Sequence, residues 1–284
     1  MKNFEFNITE ETQWCPGCGN PSIRLALKNA LDELGLGMDD VIMSAGIGQA
    51  GKMPQYIDLH AFAGLHGRSL PVATAIKLAN HKAVVIAEGG DGDGYGEGGN
   101  HLIHAIRRNI NITQIVHNNQ VYGLTKGQAS PTTGHGQVQT FAQDGARSKM
   151  MKPLALALTL GAGFVARGFS GDVKQLTEII KEAIEFKGYA LVDVLQPCIT
   201  WNKVNTFKWY KERVKPLGAD YDNTNLDLAM EKAMMWGDEI PTGVLYKVES
   251  TTYEDQFEFL KNGEPMIDRV LNPLDAKKIM DRMK

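Results

Sequence analysis

Short apolar runs alternate with helically spaced apolar positions through the first 200 residues of the chain. The helical spacing, at intervals of three and four residues, predicts helices over residues 20–34, 69–80, 99–108, 154–160 and 173–186. The apolar runs are short and rich in β-branched residues, so they predict buried strands over residues 41–43, 83–87, 112–117, 164–167 and 190–195.

This alternation of strands and helices predicts an α/β fold with a doubly wound, mainly parallel sheet. The alternation fades after Trp201, where the pattern predicts only one helix, over residues 226–235. We therefore divide the chain into an α/β domain of residues 1–200 and a C-terminal extension of residues 201–284. Residues 123–150 have little apolar periodicity and predict a long loop, which inside a compact domain is usually functional.

Two polar motifs lie at predicted carboxyl ends of strands, where parallel sheets bind their ligands. They are Gly-Asp-Gly-Asp at 90–93 and Asn-Asn at 118–119. Mg²⁺ prefers six oxygen ligands and often takes one or two carboxylates together with phosphate oxygens. Asp91, Asn119 and a carbonyl near Val121 would supply such ligands. Gly-Asp-Gly taken alone is also typical of an ordinary glycine-rich turn with capping aspartates.

Composition narrows the range of functions. The chain has 284 residues, 43% of them hydrophobic and 22% charged, with a formal net charge of −3. We expect no nucleic-acid partner and no membrane partner, because no basic excess and no apolar run of membrane-spanning length are present. The polar N-terminus does not resemble a signal peptide, and we expect a cytoplasmic protein.

Three cysteines stand at positions 15, 18 and 198, the first two as Cys-x-x-Cys. An odd number with this spacing argues against a secreted disulfide framework and favours a reducing compartment. Zinc, a redox pair, an iron–sulfur site and small buried thiols without a metal all remain open at this point.

Several separated motifs together carry a family resemblance. The stretch NNQVYGLTKGQASPTT at 118–133, preceded by the 90–93 motif, resembles the diphosphate-binding half of thiamine-diphosphate enzymes. More narrowly, it resembles the beta subunits of 2-oxoacid:ferredoxin oxidoreductases. Four further stretches agree with that resemblance: WCPGCG at 14–19, LHGRSLPVATAIKLAN at 65–80, EGGNHLIHAIRRN at 97–109 and LVDVLQPCITWN at 191–202.

The resemblance implies thiamine diphosphate with Mg²⁺ as cofactors and the oxidative decarboxylation of a 2-oxoacid to an acyl-CoA and CO₂. Coenzyme A would accept the acyl group and ferredoxin the electrons. Such enzymes need a second module that binds the aminopyrimidine ring and supplies an activating glutamate. The chain has room for only one module, so we expect an alpha subunit to supply the other, in an α₂β₂ heterotetramer.

The resemblance also implies roles for individual residues. Mg²⁺ would be held by Asp91, Asn119 and the Val121 carbonyl, and the diphosphate by Gly92, Asp93 and His66. The thiazolium surroundings would include Ile47, Gly48 and Leu124. The remaining expected cofactor-binding residues are Gly90, Tyr122 and Gly123.

Similar beta subunits hold a [4Fe-4S] cluster on four cysteines, of which this chain keeps Cys15, Cys18 and Cys198. Gln49 stands where the fourth cysteine is expected. A cluster with a non-cysteine ligand, a three-iron cluster and no cluster are the alternatives, and we expect a cluster held by three cysteines.

Two residues are candidates for the catalytic chemistry. Lys52 stands three residues after Gln49, next to the glycine-rich loop Gly46-Ile47-Gly48-Gln49-Ala50-Gly51. Its ammonium would bind a substrate carboxylate, favouring 2-oxoglutarate. Leu124 would pack near the thiazole or the substrate. A solvated lysine and an ordinary core leucine are the structural alternatives. Two other functions remain open: a non-oxidative thiamine-diphosphate decarboxylase subunit and a non-catalytic metal-binding or assembly subunit.

Overall fold

The computed structural model describes residues 11–270 and 272–283, without the side chains of residues 273 and 275. Most of the N-terminal stretch that argued against a signal peptide therefore lies outside the described residues. The strands in chain order are β1 (Val41–Ala45), β2 (His60–Ala63), β3 (Val84–Gly90), β4 (Thr113–Asn118), β5 (Val121–Tyr122), β6 (Gln128–Ala129), β7 (Phe164–Phe169), β8 (Ala190–Leu195), β9 (Val214–Pro216) and β10 (Ile240–Lys247).

Helices occupy most of the segments between the strands. They are α1 (Asn20–Glu33), α2 (Ser69–Ala79), α3 (Gly99–Arg108), α4 (Pro153–Thr159), α5 (Val173–Glu185), α6 (Phe207–Arg213), α7 (Leu226–Met234), α8 (Glu258–Lys261) and α9 (Pro273–Arg282). Short 3₁₀ segments are Met38–Asp40, Ala50–Gln55, Glu254–Gln256 and Met266–Asp268, and Gly92–Glu97 forms a π-helical turn. No helix of the described part is both long and apolar enough to cross a membrane.

Eight of these strands form one sheet in the order β2-β1-β3-β4-β8-β7-β10-β9, and β5 pairs with β6 separately. Neighbouring strands run parallel, except that β10 is antiparallel to β7. The predicted α/β class with a mainly parallel sheet is therefore confirmed. The predicted helix over 99–108 and strand over 190–195 recur with the same bounds.

Three strands of the sheet were missed from the sequence. Strand β2 is exposed along its whole length, so it lacks the apolar run that marks a buried strand. Strands β9 and β10 lie in the segment for which only a helix was predicted, and both contain proline, which weakens a strand pattern. The segment after residue 200 thus extends the sheet. The division of the chain at residue 200 stays a prediction.

Two apolar layers cover the two faces of the sheet. Helices α1 and α5 contribute Ile23, Leu27, Leu176 and Ile180 to one layer, and all four side chains are fully buried. Helices α2, α3, α4 and α7 contribute to the other layer. Because both faces are covered, the central strands are buried on both sides, which explains why they appear as continuous apolar runs.

Arg167 of β7 connects the sheet to α7 and β10 through hydrogen bonds. Its guanidinium is buried and donates to the carbonyl oxygens of Ala233 (3.1 Å) and Pro241 (3.2 Å). Burial raises the pKa of the nearby Asp193 carboxyl to about 6, while the positive charge of Arg167 opposes that rise. The guanidinium thus pairs two buried carbonyls and lies near a buried acid.

We predict that Arg167→Met lowers the free energy of unfolding by about 3 kcal/mol, because it leaves buried acceptors unpaired and Asp193 without its positive neighbour. Urea unfolding of the purified chain measures this change. Arg147→Met is the matched control, since Arg147 is exposed and its ion pair with Asp144 spans 3.9 Å. Equal stability of the two variants would contradict the prediction.

Candidate active site

The cleft at the carboxyl edge of the sheet begins where β3 and β4 end. The two strands pair in parallel, with Gly90 opposite His117, so Asp91 and Asn119 leave the sheet at the same edge. Every residue expected to bind the cofactor lines this cleft: Ile47, Gly48, His66, Gly90, Asp91, Gly92, Asp93, Asn119, Val121, Tyr122, Gly123 and Leu124. The structure brings the whole predicted set together, while the role of each residue in binding stays a prediction.

Asp91 is 1% exposed and is oriented by two hydroxyl groups. Its Oδ2 accepts hydrogen bonds from Ser130 Oγ and Thr132 Oγ1, each at 2.5 Å. Burial raises the pKa of the Asp91 carboxyl, and these two hydrogen bonds partly offset that rise. A cation in the cleft would favour the charged form in the same way, because it would offset the cost of desolvation.

Asn119 directly follows β4 and is held on several sides. Its Oδ1 accepts from the backbone N–H of Val121 at 3.1 Å, and its Nδ2 donates to Gln196 Oε1 at 3.1 Å. Its main-chain oxygen accepts from Asn202 Nδ2 at 3.0 Å. The amide oxygen is thus fixed in the cleft beside the Val121 backbone.

Asp93 connects the two loops on the opposite side of the cleft. Its Oδ1 accepts from the backbone N–H groups of Ile47 (2.9 Å) and Gly67 (2.8 Å). Its Oδ2 is buried and has no hydrogen-bond partner within the described residues. The contacts of Asp93 explain the position of the glycine-rich loop and of the His66 loop, which the sequence pattern did not reveal.

A second cleft adjoins the first and contains the three thiols. Cys15, Cys18 and Cys198 line it together with Gln49, and Gln49 Oε1 is buried without a hydrogen-bond partner in the described part. Burial raises the pKa of the Cys18 thiol to about 11. No group of three or more His, Cys, Asp or Glu within residues 11–270 and 272–283 is arranged to hold a metal ion.

Lys52 does not line the cofactor cleft. It lies in the 3₁₀ segment Ala50–Gln55, and its ammonium is 3.5 Å from Gln13 Oε1. Leu124 does line the cleft, and its side chain is 44% exposed. The proposed carboxylate-binding role of Lys52 stays a prediction, and its observed partner gives that role no support.

Sequence reasoning missed two sets of polar residues around the cleft. Ser130 and Thr132 belong to the predicted loop, and their signal was a cluster of hydroxyl residues in a segment without apolar periodicity. The other set is a fully buried contact between Glu88 Oε1 of β3 and His117 Nε2 of β4 (2.6 Å), with Asn20 Oδ1 at the other ring nitrogen (2.8 Å). Nothing in the sequence pattern connects these three positions.

Comparisons with known proteins agree with the geometry. Residues 42–194 match the family described as thiamine pyrophosphate enzyme, C-terminal TPP binding domain. Residues 198–262 match the C-terminal part of the pyruvate ferredoxin oxidoreductase beta subunit. A 2-oxoacid:ferredoxin oxidoreductase subunit beta from Saccharolobus solfataricus is 46% identical over 262 residues, covering 87% of this chain and 86% of that protein.

This chain belongs to the beta subunits of the 2-oxoacid:ferredoxin oxidoreductases. A similar protein from Mycobacterium tuberculosis, 2-oxoglutarate oxidoreductase subunit KorB, is 42% identical over 202 residues, covering 71% of this chain and 54% of that protein. One solved structure is a 2-oxoglutarate:ferredoxin oxidoreductase from Magnetococcus marinus with 2-oxoglutarate, coenzyme A and succinyl-CoA bound. It has a TM-score of 0.90 and 37% identity, covering 98% of this chain and 94% of that one. The expected family and its oxidoreductase activity are thereby confirmed.

We predict that Gly46→Ala in this beta subunit opens the loop held by Asp93. An added Cβ would lie 1.9 Å from Asp93 Oδ2, so the carboxylate or the loop must move. We expect a loss of about 1–3 kcal/mol in the free energy of unfolding, together with weaker binding of thiamine diphosphate. Urea unfolding and calorimetric titration measure the two effects.

Gly99→Ala is the matched control, because a Cβ at Gly99 meets no atom within 4 Å. It should leave both stability and cofactor binding intact. A Gly46→Ala variant that behaves like this control would contradict the role given to Asp93.

Proposed function

We propose that this chain binds Mg²⁺ and thiamine diphosphate in the cleft at the carboxyl ends of β3 and β4. With a second chain it would decarboxylate a 2-oxoacid oxidatively. The products are an acyl-CoA and CO₂, and ferredoxin receives the electrons. We infer 2-oxoglutarate as the favoured substrate, because similar proteins carry that name.

The observation that carries the proposal is the meeting of Asp91, Asn119 and Val121 at one edge of the sheet, in one cleft. A carboxylate, an amide oxygen and a main-chain carbonyl suit Mg²⁺, which binds oxygen ligands and keeps positions for phosphate and water. Two of these ligands are not acidic side chains, so the absence of a cluster of His, Cys, Asp and Glu among the described residues does not count against them.

The surroundings of the cleft also fit a charged cofactor. Asp91 is already oriented by two hydroxyl donors, so its carboxylate is in place for a cation. Thiamine diphosphate, when bound, supplies the nucleophilic carbon and the electron sink that decarboxylation requires. The chain would hold the metal through Asp91, Asn119 and the Val121 carbonyl, while Ile47 and Leu124 would limit access of water.

A second chain completes the proposed site. The matched relatives are beta subunits, and the described residues of this chain form one eight-stranded sheet with one such cleft. We propose that an alpha subunit supplies the aminopyrimidine-binding module and the activating glutamate, in an α₂β₂ assembly. Coenzyme A, which is bound in the structure of the similar oxidoreductase, would accept the acyl group.

We propose that the three-cysteine cleft holds the group that accepts electrons from the cofactor. We propose an iron–sulfur cluster held by Cys15, Cys18 and Cys198, with Gln49 at the fourth side. Support comes from the convergence of all three thiols of the chain on one cleft beside the cofactor cleft. A multi-iron cluster on thiolates uses such a set, and the reaction needs an acceptor for two electrons.

We predict that Asp91→Asn weakens the binding of thiamine diphosphate at least about 100-fold, because it removes the metal-binding carboxylate while keeping its shape. Calorimetric titration of the co-purified complex in the presence of Mg²⁺ measures this change. Asp144→Asn, at an exposed carboxylate, is the control and should bind as the wild type does. Full cofactor affinity in Asp91→Asn would overturn the metal assignment, and no binding to the wild-type complex would favour an assembly subunit.

We predict that the anaerobically purified complex contains iron and acid-labile sulfide and that Cys18→Ser loses most of both. Ile199→Val is the control, because Ile199 lines the same cleft with an apolar side chain that provides no thiolate. Iron and sulfide assays, together with 2-oxoacid-dependent dye reduction in the presence of coenzyme A, test the redox function. An iron-free wild-type complex with full decarboxylase activity would instead favour a non-oxidative decarboxylase subunit.

A further inference from the structure

The two clefts share a wall. Gln49, Asn119 and Gly123 line both the cofactor cleft and the three-cysteine cleft. Asn119 is the only one of the three that is also a proposed metal ligand. Asn119 directly follows β4, and its position also depends on the segment of the chain that contains Cys198.

The segment after β8 holds Asn119 at two points. Strand β8 pairs in parallel with β4, so residues 196–202 continue past the sheet edge beside Asn119. Gln196 Oε1 accepts from the side-chain amide of Asn119 at 3.1 Å, and Asn202 Nδ2 donates to its main-chain oxygen at 3.0 Å. The same segment contains Cys198, whose carbonyl accepts from the backbone N–H of Asn202 at 3.0 Å.

The oxygen and the nitrogen of the Asn202 side-chain amide make different contacts. Its Oδ1 accepts from the backbone N–H groups of Val204 (3.1 Å) and Asn205 (3.0 Å) and from Gln137 Nε2 (3.1 Å). These contacts fold its own segment and the neighbouring loop. Its Nδ2 donates to Asn119 and to Asn205 Oδ1, so only this end reaches the metal ligand. Asn202 itself is 1% exposed and lines neither cleft.

We propose that Asn202 is a positioning residue for the metal site and that it fixes Asn119 from the segment that carries Cys198. A hydrogen bond to the Asn119 main chain restricts the direction in which its side-chain oxygen points. A buried carbonyl that loses its donor turns or shifts to find another one, because an unpaired buried acceptor is costly. The inference rests on the proposed function, since it takes Asn119 as a ligand of Mg²⁺.

Asn202→Asp separates the two tasks. The ionised carboxylate keeps oxygen acceptors for Val204, Asn205 and Gln137, but it can donate neither to Asn119 nor to Asn205 Oδ1; the Asn205→Ala control isolates the loss of the second contact. We expect the Mg²⁺ concentration that half-saturates thiamine diphosphate binding to rise about tenfold or more. Saturating Mg²⁺ should then restore binding, whereas a general loss of structure would lower binding at every Mg²⁺ concentration. Mg²⁺ titration of the co-purified complex, monitored by tryptophan fluorescence, gives the half-saturating Mg²⁺ concentration and the extent of cofactor binding at saturating Mg²⁺.

Gln137→Ala and Asn205→Ala are the matched controls. Each removes one contact of Asn202 and leaves its donation to Asn119 in place. The half-saturating Mg²⁺ concentration of each variant should therefore stay within about twofold of the wild-type value. Gln196→Met provides a second route in case Asn202→Asp fails to fold. It removes the hydrogen bond that Gln196 accepts from the Asn119 side chain, and it should raise the Mg²⁺ requirement as Asn202→Asp does.

Three outcomes are decisive. A raised Mg²⁺ requirement confined to Asn202→Asp and Gln196→Met supports the proposal. A wild-type Mg²⁺ requirement in both variants overturns it and leaves the proposed function standing. Absence of Mg²⁺-dependent binding in the wild-type complex removes both the proposed function and the positioning role.

Discussion

The parallel pairing of β3 with β4 is the constraint on which the rest of the site depends. It brings Asp91 and Asn119, which are separated by a helix and a strand in the chain, to the same edge of the sheet. Parallel strands need a crossover connection, and α3 provides it on one face. The turn that begins α3 also carries Asp93, so the crossover that aligns the strands shapes the cleft as well.

Burial of polar groups around this edge is costly unless each group finds a partner. Most of these groups lie in chains of hydrogen bonds. Asn118, for example, donates to Asp193 at 3.1 Å, and the single hydroxyl of Thr132 lies within hydrogen-bond distance of both Asn118 Oδ1 (2.8 Å) and Asp91 Oδ2 (2.5 Å). Burial raises the pKa of Asp91, Asp93 and Asp193. The site therefore contains several buried acids whose charged forms a bound cation or a hydroxyl donor would stabilise.

The proximity of the two clefts has a chemical consequence. Electrons that leave a cofactor in one cleft would have a short path to an acceptor in the other, because Gln49, Asn119 and Gly123 form a common wall. Arg167 anchors α7 and the start of β10, while β8 delivers Cys198 directly beyond the sheet edge.

The sequence by itself determined the fold class and the bounds of most helices, and the family resemblance indicated residues that the structure places in one cleft. Helical spacing and continuous apolar runs are local consequences of burial, and Asp91 and Asn119 follow such runs directly. It failed at β2, β9 and β10, because exposed or proline-containing strands are stabilised by their neighbours and not by a periodic pattern of their own. Only the tertiary structure decided that Ser130 and Thr132 orient Asp91, that Asn202 reaches Asn119 and that Lys52 lies outside the cleft. Those contacts join segments far apart in the chain, and their geometry depends on how loops pack at the edge of the sheet.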